Sequence, residues 1–467
     1  MCTIIGLTLM TAGGLLAGAA YAKDAPDLPS AKQSGIDAIV QSELTSTGVA
    51  SASIAIVVDS RVVYRKAYGY AQIDPRRAAN TEMRYGIGSI SKEFLSTALV
   101  MLESEGRLKL DDKVEIYEPN LGAAGQATLR QLLSHTAGIR DYYPQDYVFA
   151  DMLKPISHEA LLDRWARQPV DFAPGERWQY SNTGYVLAGV VLEKIVGQSV
   201  FQFLRERIFT PLKMNTVVDF DDGGLSGEDA TGYTAFGLGP LQQAPAIGPG
   251  WVFAAGELAM TPEDLARWDI SIINQSLMSP QAYHTLERET LLNNGAGTGY
   301  ALGLRVQLQS ERRVLSHNGG VPGFITQNVI YPDERAAIVV FTNADTTQAA
   351  SAIADKIGDM LFVSESPEET AKTEFARKIL ANLRRGQIDR TLFSVNCNEY
   401  YTPTALADTA HSLSQLGTLK SFTLTRSGTR GGMDFRIYKT EFPKKTLDVV
   451  VRQWPDGKIE GFLLAPR

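Results

Sequence analysis

Strand-forming sequence stands in two blocks far apart in the chain, with helix-forming sequence between them, and this separation limits the fold more than any other feature. In the early block, Ile54-Ala55-Ile56-Val57-Val58 and Val62-Val63-Tyr64 flank the polar turn Asp59-Ser60-Arg61, the pattern of a hairpin. In the late block, Val314-Leu315, Gln327 to Tyr331 and Ala336 to Thr342 have strand character, and the run Ile338-Val339-Val340-Phe341 suits a strand covered on both faces. Between the blocks, Ile90, Phe94, Leu95, Ala98, Leu99 and Leu102 recur at helical spacing from Ser89 to Glu105, and Gly106 supplies a stop. Further helices are predicted from Gly184 to Val196, ended by Gly197, from Pro262 through Trp268, and from Ala349 to Phe362. One sheet is therefore expected, assembled from distant segments and covered by helices.

A chain of 467 residues exceeds one ordinary core. After Ser364-Glu365-Ser366-Pro367-Glu368-Glu369 the texture changes to one amphipathic helix, Phe375 to Leu383, and then to strands at Phe422 to Thr425, Phe435 to Phe442, Leu447 to Trp454 and Ile459 to Leu464. We place a main domain at 35–363 and a small α+β domain at 370–467, with no internal repeat. Apolar content of 44% and charged content of 21% fit a globular protein, and a net charge of -7 offers no basic stripe for nucleic acid. Residues 1–22 carry no charge, run apolar from Ile4 to Ala20, and end in Ala20-Tyr21-Ala22, which reads as a signal peptide cut before Lys23. Residues 23–34 read as a linker, and a periplasmic or secreted location is expected. No other segment is long enough to span a bilayer, so no integral span is expected after leader removal. Cys2 falls in the leader, leaving Cys397 without an intrachain partner and best read as a small buried side chain.

The sequence Gly88-Ser89-Ile90-Ser91-Lys92 sets a hydroxyl and an amine three residues apart on the first turn of a helix, hence on one face: a nucleophile beside a base. The positive potential of the helix N-terminus is expected to lower the lysine pKa and to favour negative charge on the serine. Two such common residues meet at this spacing in many chains; what gives the pair weight is its company. Tyr180-Ser181-Asn182 and then His317-Asn318-Gly319 follow in order, with Leu132-Leu133-Ser134-His135-Thr136-Ala137-Gly138-Ile139, Phe209-Thr210-Pro211-Leu212-Lys213-Met214 and Thr261-Pro262-Glu263-Asp264-Leu265-Ala266 between and around them.

These segments resemble the penicillin-binding-protein and serine β-lactamase superfamily, in its class C β-lactamase-related, family VIII esterase and D-peptidase branch, over roughly residues 35–360. The resemblance implies a three-layer α/β (α+β) β-lactamase/transpeptidase-like domain with an antiparallel sheet and a helical subdomain. It implies that Ser89 attacks a carbonyl carbon while Lys92 and Tyr180 move its proton, without deciding which is the base. A tyrosine near two cations is expected to ionise below its usual value. Asn182 is expected to hold Lys92 and a substrate amide. His317 and Gly319 form the third motif, with His317 beginning a strand that faces the serine, and the Gly320 N–H is expected to pair with the Ser89 N–H as an oxyanion hole.

Where relatives mostly carry lysine, this chain has His317, largely neutral at pH 7, which weakens the demand for a substrate carboxylate and favours esterases and D-peptidases. Glu257 replaces a usual glycine and is read as solvated. His135 reads as structural, and His158, His284 and His411 as surface or core polar residues. No spacing points to a metal site, no cofactor is expected, and neither a His-x-His-x-Asp-His run nor a Gly-x-Ser-x-Gly elbow occurs. The C-terminal domain faintly resembles cystatin-like or NTF2-like accessory domains, suited to packing, dimer formation or substrate binding, with Tyr400, Tyr401 and Phe435 read as core. The substrate expected is a small-molecule ester, D-peptide or β-lactam; the alternative is a penicillin-binding sensor of the same fold without efficient turnover. The oligomeric state stays open.

Overall fold

The computed structural model describes residues 28–309, 312–362 and 367–466, so the expected signal peptide and most of the expected linker lie outside the described residues. Residues 30–34, read as linker, instead open helix α1 (Ser30–Thr47), which follows Pro29 and stops at Gly48, where a left-handed residue returns its N–H to Leu44 O.

The two sequence blocks meet in one antiparallel sheet. Strands β1 (Ser51–Val58) and β2 (Arg61–Gln72) form the early hairpin. Strands β3 (Arg305–Gln309), β4 (Arg312–Val321), β5 (Phe324–Tyr331) and β6 (Ala336–Thr342) form the late block. The junction is β1 against β6, with Ile54 opposite Val340 and Ile56 opposite Ile338. Seven strands pair in all, a short Arg77–Ala78 strand leading to β2-β1-β6-β5-β4-β3. Strand β3 escaped the sequence reading because it is the edge strand and keeps Leu308 exposed, so no apolar face marks it.

The unbroken apolar run of β6 is explained by two cores. Ile338 and Val340 join Ile36 and Val40 of α1 and Ile353 and Ile357 of α5 (Ala349–Phe362) on one face. Val339 and Phe341 point the other way, into a larger core with Phe94, Leu95 and Leu99 of α2 (Ser91–Ser104) and Leu265 and Trp268 of α4 (Pro262–Asn274). Between them in sequence, α3 (Asn182–Val196) closes at the left-handed Gly197, as its glycine predicts. The result is a three-layer arrangement of helices on both faces of an antiparallel sheet.

A second sheet, in the order β7 (Ser421–Arg430), β8 (Met433–Glu441), β9 (Thr446–Gln453), β10 (Ile459–Pro466), is built from the C-terminal sequence with helices α6 (Pro367–Arg384) and α7 (Pro403–Ser414). Its core includes Leu380, Leu383, Cys397, Tyr401, Tyr438 and Phe462. Tyr401 is buried and its hydroxyl donates to Phe462 O at 2.6 Å, but Tyr400, also read as core, stands exposed, and Phe435 is half-buried. Cys397 is buried as expected. Among the described residues no single helix is long and apolar enough to cross a membrane.

Candidate active site

Ser89 lies in a tight turn, Gly88–Ile90, and regular helix starts at Ser91, two residues later than the sequence spacing predicts. Gly88 has φ of 53°, and a Cβ there would come within 2.7 Å of Gly320 N, so the turn that holds Ser89 and strand β4 touch backbone to backbone. One residue earlier on β4, a Cβ on Gly319 would meet Ile87 O at 1.8 Å. Both glycines are thus required by close approach, and Gly320 is left beside Ser89 on the open face of the strand.

Lys92 is fully buried beneath this turn. Its Nζ lies 2.9 Å from Ser89 Oγ, 2.8 Å from Asn182 Oδ1 and 2.6 Å from Ala255 O. Burial, partly opposed by the charge of Asp141, brings its pKa down to about 7. The lowering expected from the sequence is present, but loss of water is its main cause.

Tyr180 departs from expectation. Burial raises its pKa, with a hydrogen bond to Ser89 as a smaller opposing effect. Cations do stand near it, Lys92 Nζ 5.1 Å from the ring centroid and Arg305 acting to lower the pKa, but burial outweighs them. The ring is held by aromatic neighbours, 4.1 Å from His135 and 6.4 Å from Trp178 by centroids. His135 is buried and accepts the Ser181 N–H at Nδ1, 3.1 Å away, which fixes the backbone between Tyr180 and Asn182.

His317 lies in the interior of β4 rather than at its start, and alternation turns its ring away from the open cleft. Its Nδ1 faces Asn318 O at 2.6 Å and its Nε2 faces the Tyr300 hydroxyl at 2.7 Å. A carbonyl can only accept, so Nδ1 carries the proton and Nε2 accepts from Tyr300. Burial, with Lys92 nearby, depresses the pKa to about 3. The ring centroid is 6.3 Å from that of Tyr180, so His317 backs the tyrosine instead of lining the cleft. Asn318, Gly320 and Val321 are the residues of this strand that do line it.

Asn182, at the start of α3, is oriented by a residue the sequence reading missed. Asp141 accepts the Asn182 N–H at 2.9 Å and its side-chain amide at 3.2 Å, which turns the amide oxygen toward Lys92. Asp141 carries no motif, and its role comes from a fold contact across 41 residues. Arg305 was missed likewise. It opens the edge strand, lines the cleft, and has its guanidinium carbon 5.9 Å over the Trp178 ring, with no carboxylate at ion-pair distance among the described residues. Glu257, read as solvated, is 3% exposed, and burial followed by repulsion from Asp219 and Asp221 holds its pKa well above the usual range.

Ser89, Tyr180, Asn182 and Gly320 open onto one cleft of about 1350 Å³. A buried amine touching a serine hydroxyl, a tyrosine and an asparagine behind it, and a strand backbone alongside are the parts that a serine-nucleophile, acyl-transfer site requires, set here on a three-layer antiparallel scaffold. The family model described as Beta-lactamase matches residues 36–359, and the chain belongs to that family. Penicillin-binding protein 4* of Bacillus subtilis (strain 168) is 28% identical over 332 residues, covering 67% of this chain and 73% of that protein. The octameric penicillin-binding protein homologue from Pyrococcus abyssi superimposes with a TM-score of 0.63 at 22% identity, covering 92% of this chain and 99% of that one. The D-stereospecific amidohydrolase from Streptomyces sp. superimposes with a TM-score of 0.59 at 26% identity, covering 70% of this chain and 98% of that one. The chain is a serine hydrolase fold related to penicillin-binding proteins, D-amino acid amidases and esterases.

Proposed function

We propose that this protein is an exported hydrolase that cleaves an amide bond next to a carboxylate-bearing residue, of the D-peptidase type, through an acyl-enzyme on Ser89. The observation that carries the reading is the Lys92 amine, fully buried, brought to a pKa near 7, and 2.9 Å from the Ser89 hydroxyl. A neutral amine donates to Asn182 Oδ1 and Ala255 O and keeps its lone pair for the serine proton. The raised pKa of Tyr180 keeps its phenol protonated, which suits a proton carrier and leaves Lys92 as the base.

In the first half-reaction the Ser89 Oγ–C bond forms as the Oγ proton passes to Lys92 Nζ. The carbonyl oxygen collects the negative charge at the Ser89 and Gly320 N–H groups. The proton then moves through the Tyr180 hydroxyl to the leaving nitrogen, the C–N bond breaks, and an ester to Ser89 remains. In the second half, water attacks that ester, its proton takes the reverse route, and Ser89 leaves as the alcohol.

Neutral His317 supplies no charge for a substrate carboxylate, while Arg305, unpaired in the cleft, does. This favours a substrate whose leaving group carries a carboxylate, and a D-configured amide is in keeping with the D-stereospecific amidohydrolase from Streptomyces sp. that shares the fold. Export rests on the leader-like sequence of residues 1–22.

The test is hydrolysis of an N-acyl-D-alanyl-D-alanine dipeptide, with intact mass recorded during turnover for the wild type and Ser89→Ala. An acyl adduct and release of D-alanine are expected from the wild type, and a loss of about 10³-fold or more from the variant. Hydrolysis undiminished in Ser89→Ala would refute the reading. A stable adduct with a fluorescent penicillin and no peptide release would mean a sensor instead.

A further inference from the structure

The cleft runs across one end of the sheet, and its two ends differ in chemistry. At one end stands Arg305, opposite Ser316 of β4. Next comes Gly320, opposite Ile325 of β5, which is itself opposite Thr342 at the end of β6. Beyond β6, Tyr233 bridges Ala344, and from there the small hairpin Tyr233–Thr234 with Gln242–Gln243 projects over the cleft. Ser89 therefore lies between a cationic end and a hairpin end.

The hairpin end carries large exposed rings and acidic groups and, among the described residues, no unpaired cation. Phe236, on the hairpin, is 81% exposed, and Tyr147, on the loop of residues 141–149, is 64% exposed, yet both line this one cleft. Other large exposed apolar side chains, such as Ile116, Leu291 and Leu308, lie outside it. Ile247 and Val148 add apolar surface to the cleft lining. Asp146 and Asp345 line the same end, and Arg140, the only other arginine on the cleft wall, is paired with Asp171 at 3.1 Å. Two large rings left in water at a cleft mouth gain roughly 25 cal/mol for each Å² they cover on a ligand, a return that isolated surface residues do not have.

We propose that Tyr147 and Phe236 form a subsite for an apolar, non-anionic group on the acyl side of the scissile bond. This deepens the reading above and rests on it: with the leaving-group carboxylate at Arg305, the acyl part must extend from Ser89 toward the hairpin. The acidic residues there repel an anion and so fix the direction in which the substrate lies. The cleft, at about 1350 Å³, is larger than a dipeptide alone needs, which leaves room for an aromatic or long aliphatic acyl group.

Two D-alanyl-D-alanine substrates that differ only in the N-acyl group, acetyl or phenylbutyryl, test this through the ratio of their kcat/KM values. The wild type is expected to favour phenylbutyryl on the order of 10- to 100-fold. The double variant Tyr147→Ala/Phe236→Ala is expected to lower that ratio about 10-fold or more. Both side chains are exposed, so truncation leaves no internal cavity, and Leu308→Ala, an exposed residue outside the cleft, should leave the ratio where it was. Equal turnover of the two substrates by the wild type, or a preference that survives in the double variant, overturns the subsite and leaves the hydrolase reading standing. Absence of Ser89-dependent turnover of either substrate overturns both.

Discussion

Lys92 and Glu93 are neighbours in sequence, both fully buried, and burial moves them in opposite directions: the amine down to about 7 and the carboxyl up to about 8. In each case the neutral form is favoured, as expected for groups removed from water without a full counter-charge. In the mechanism proposed above, the neutral form of Lys92 is the working one. The log of the acylation rate should therefore rise as pH climbs toward about 7 and level off above it. Lys92→Arg should abolish acylation at every pH, because guanidinium does not give up its proton; stopped-flow acylation by a fluorescent penicillin reads both. Glu93 faces Trp268, whose Nε1 donates to it at 2.7 Å, and Asn328, whose amide also reaches Asp269. Its folded pKa lies above the unfolded value, so its contribution to stability is complete below about 4.5 and fades as pH rises through about 8. The slope in that window is at most about 1.4 kcal/mol per pH unit. Glu93→Gln keeps the acceptor for Trp268 and cannot ionise, so its melting temperature should fall less than that of the wild type between pH 7 and pH 9. Parallel curves would show that Glu93 does not set the alkaline limit.

At the scale of elements, the carbonyl of Ala255 that holds Lys92 belongs to the short helix Phe253–Gly256, whose first residue has a φ of 30°. A bulky residue in that region is strained and needs its surroundings to hold it there. Asp221 does so: Oδ2 accepts the Gly250 N–H at 2.9 Å and the Phe253 N–H at 3.1 Å. The Tyr142 hydroxyl adds a bond to Trp251 O. Asp221 is a positioning residue, and Asp221→Ala should lower kcat on the order of 10-fold with KM nearly unchanged. Asp221→Asn, which retains an acceptor oxygen, should recover most of the loss; equal impairment in both variants would point to a structural defect instead. This turn also marks the boundary of what the sequence reveals. Ser89 and Lys92 were legible because two residues three apart on a helical turn share a face whatever the tertiary fold, and α3 was legible from its apolar spacing and terminal glycine. Asp141, Asp221, Ala255 and Arg305 were not, because each acts across a contact that exists only when distant segments pack. Glu257 was misread for the same reason: its surroundings are Asp219 and Asp221, brought in by the 3-stranded sheet that joins segments around Tyr85, Val218 and Leu258. The ionisation of Tyr180 was misjudged because its complete burial, which opposes the phenolate, exists only once distant segments have packed around it.

At the scale of the whole molecule, the hydrophobic contacts fall into separate cores. Two of them lie on opposite faces of the 7-stranded sheet and share its strands, so neither face can lose its packing without exposing the other side of the same backbone. They should unfold together. The third core draws only on residues from Ala376 to Phe462 and on the sheet of β7 to β10, and it shares no strand with the first two. Calorimetry of the full chain should then resolve two transitions. The smaller, for a unit of about 100 residues, should have an enthalpy near 60–80 kcal/mol. Acylation of Ser89 with a penicillin stabilises only the unit that holds the cleft, so the larger transition should move to higher temperature while the smaller stays in place. If both move together, the C-terminal sheet is coupled to the acylated state, and its packing against the main domain, not its own core, governs its stability.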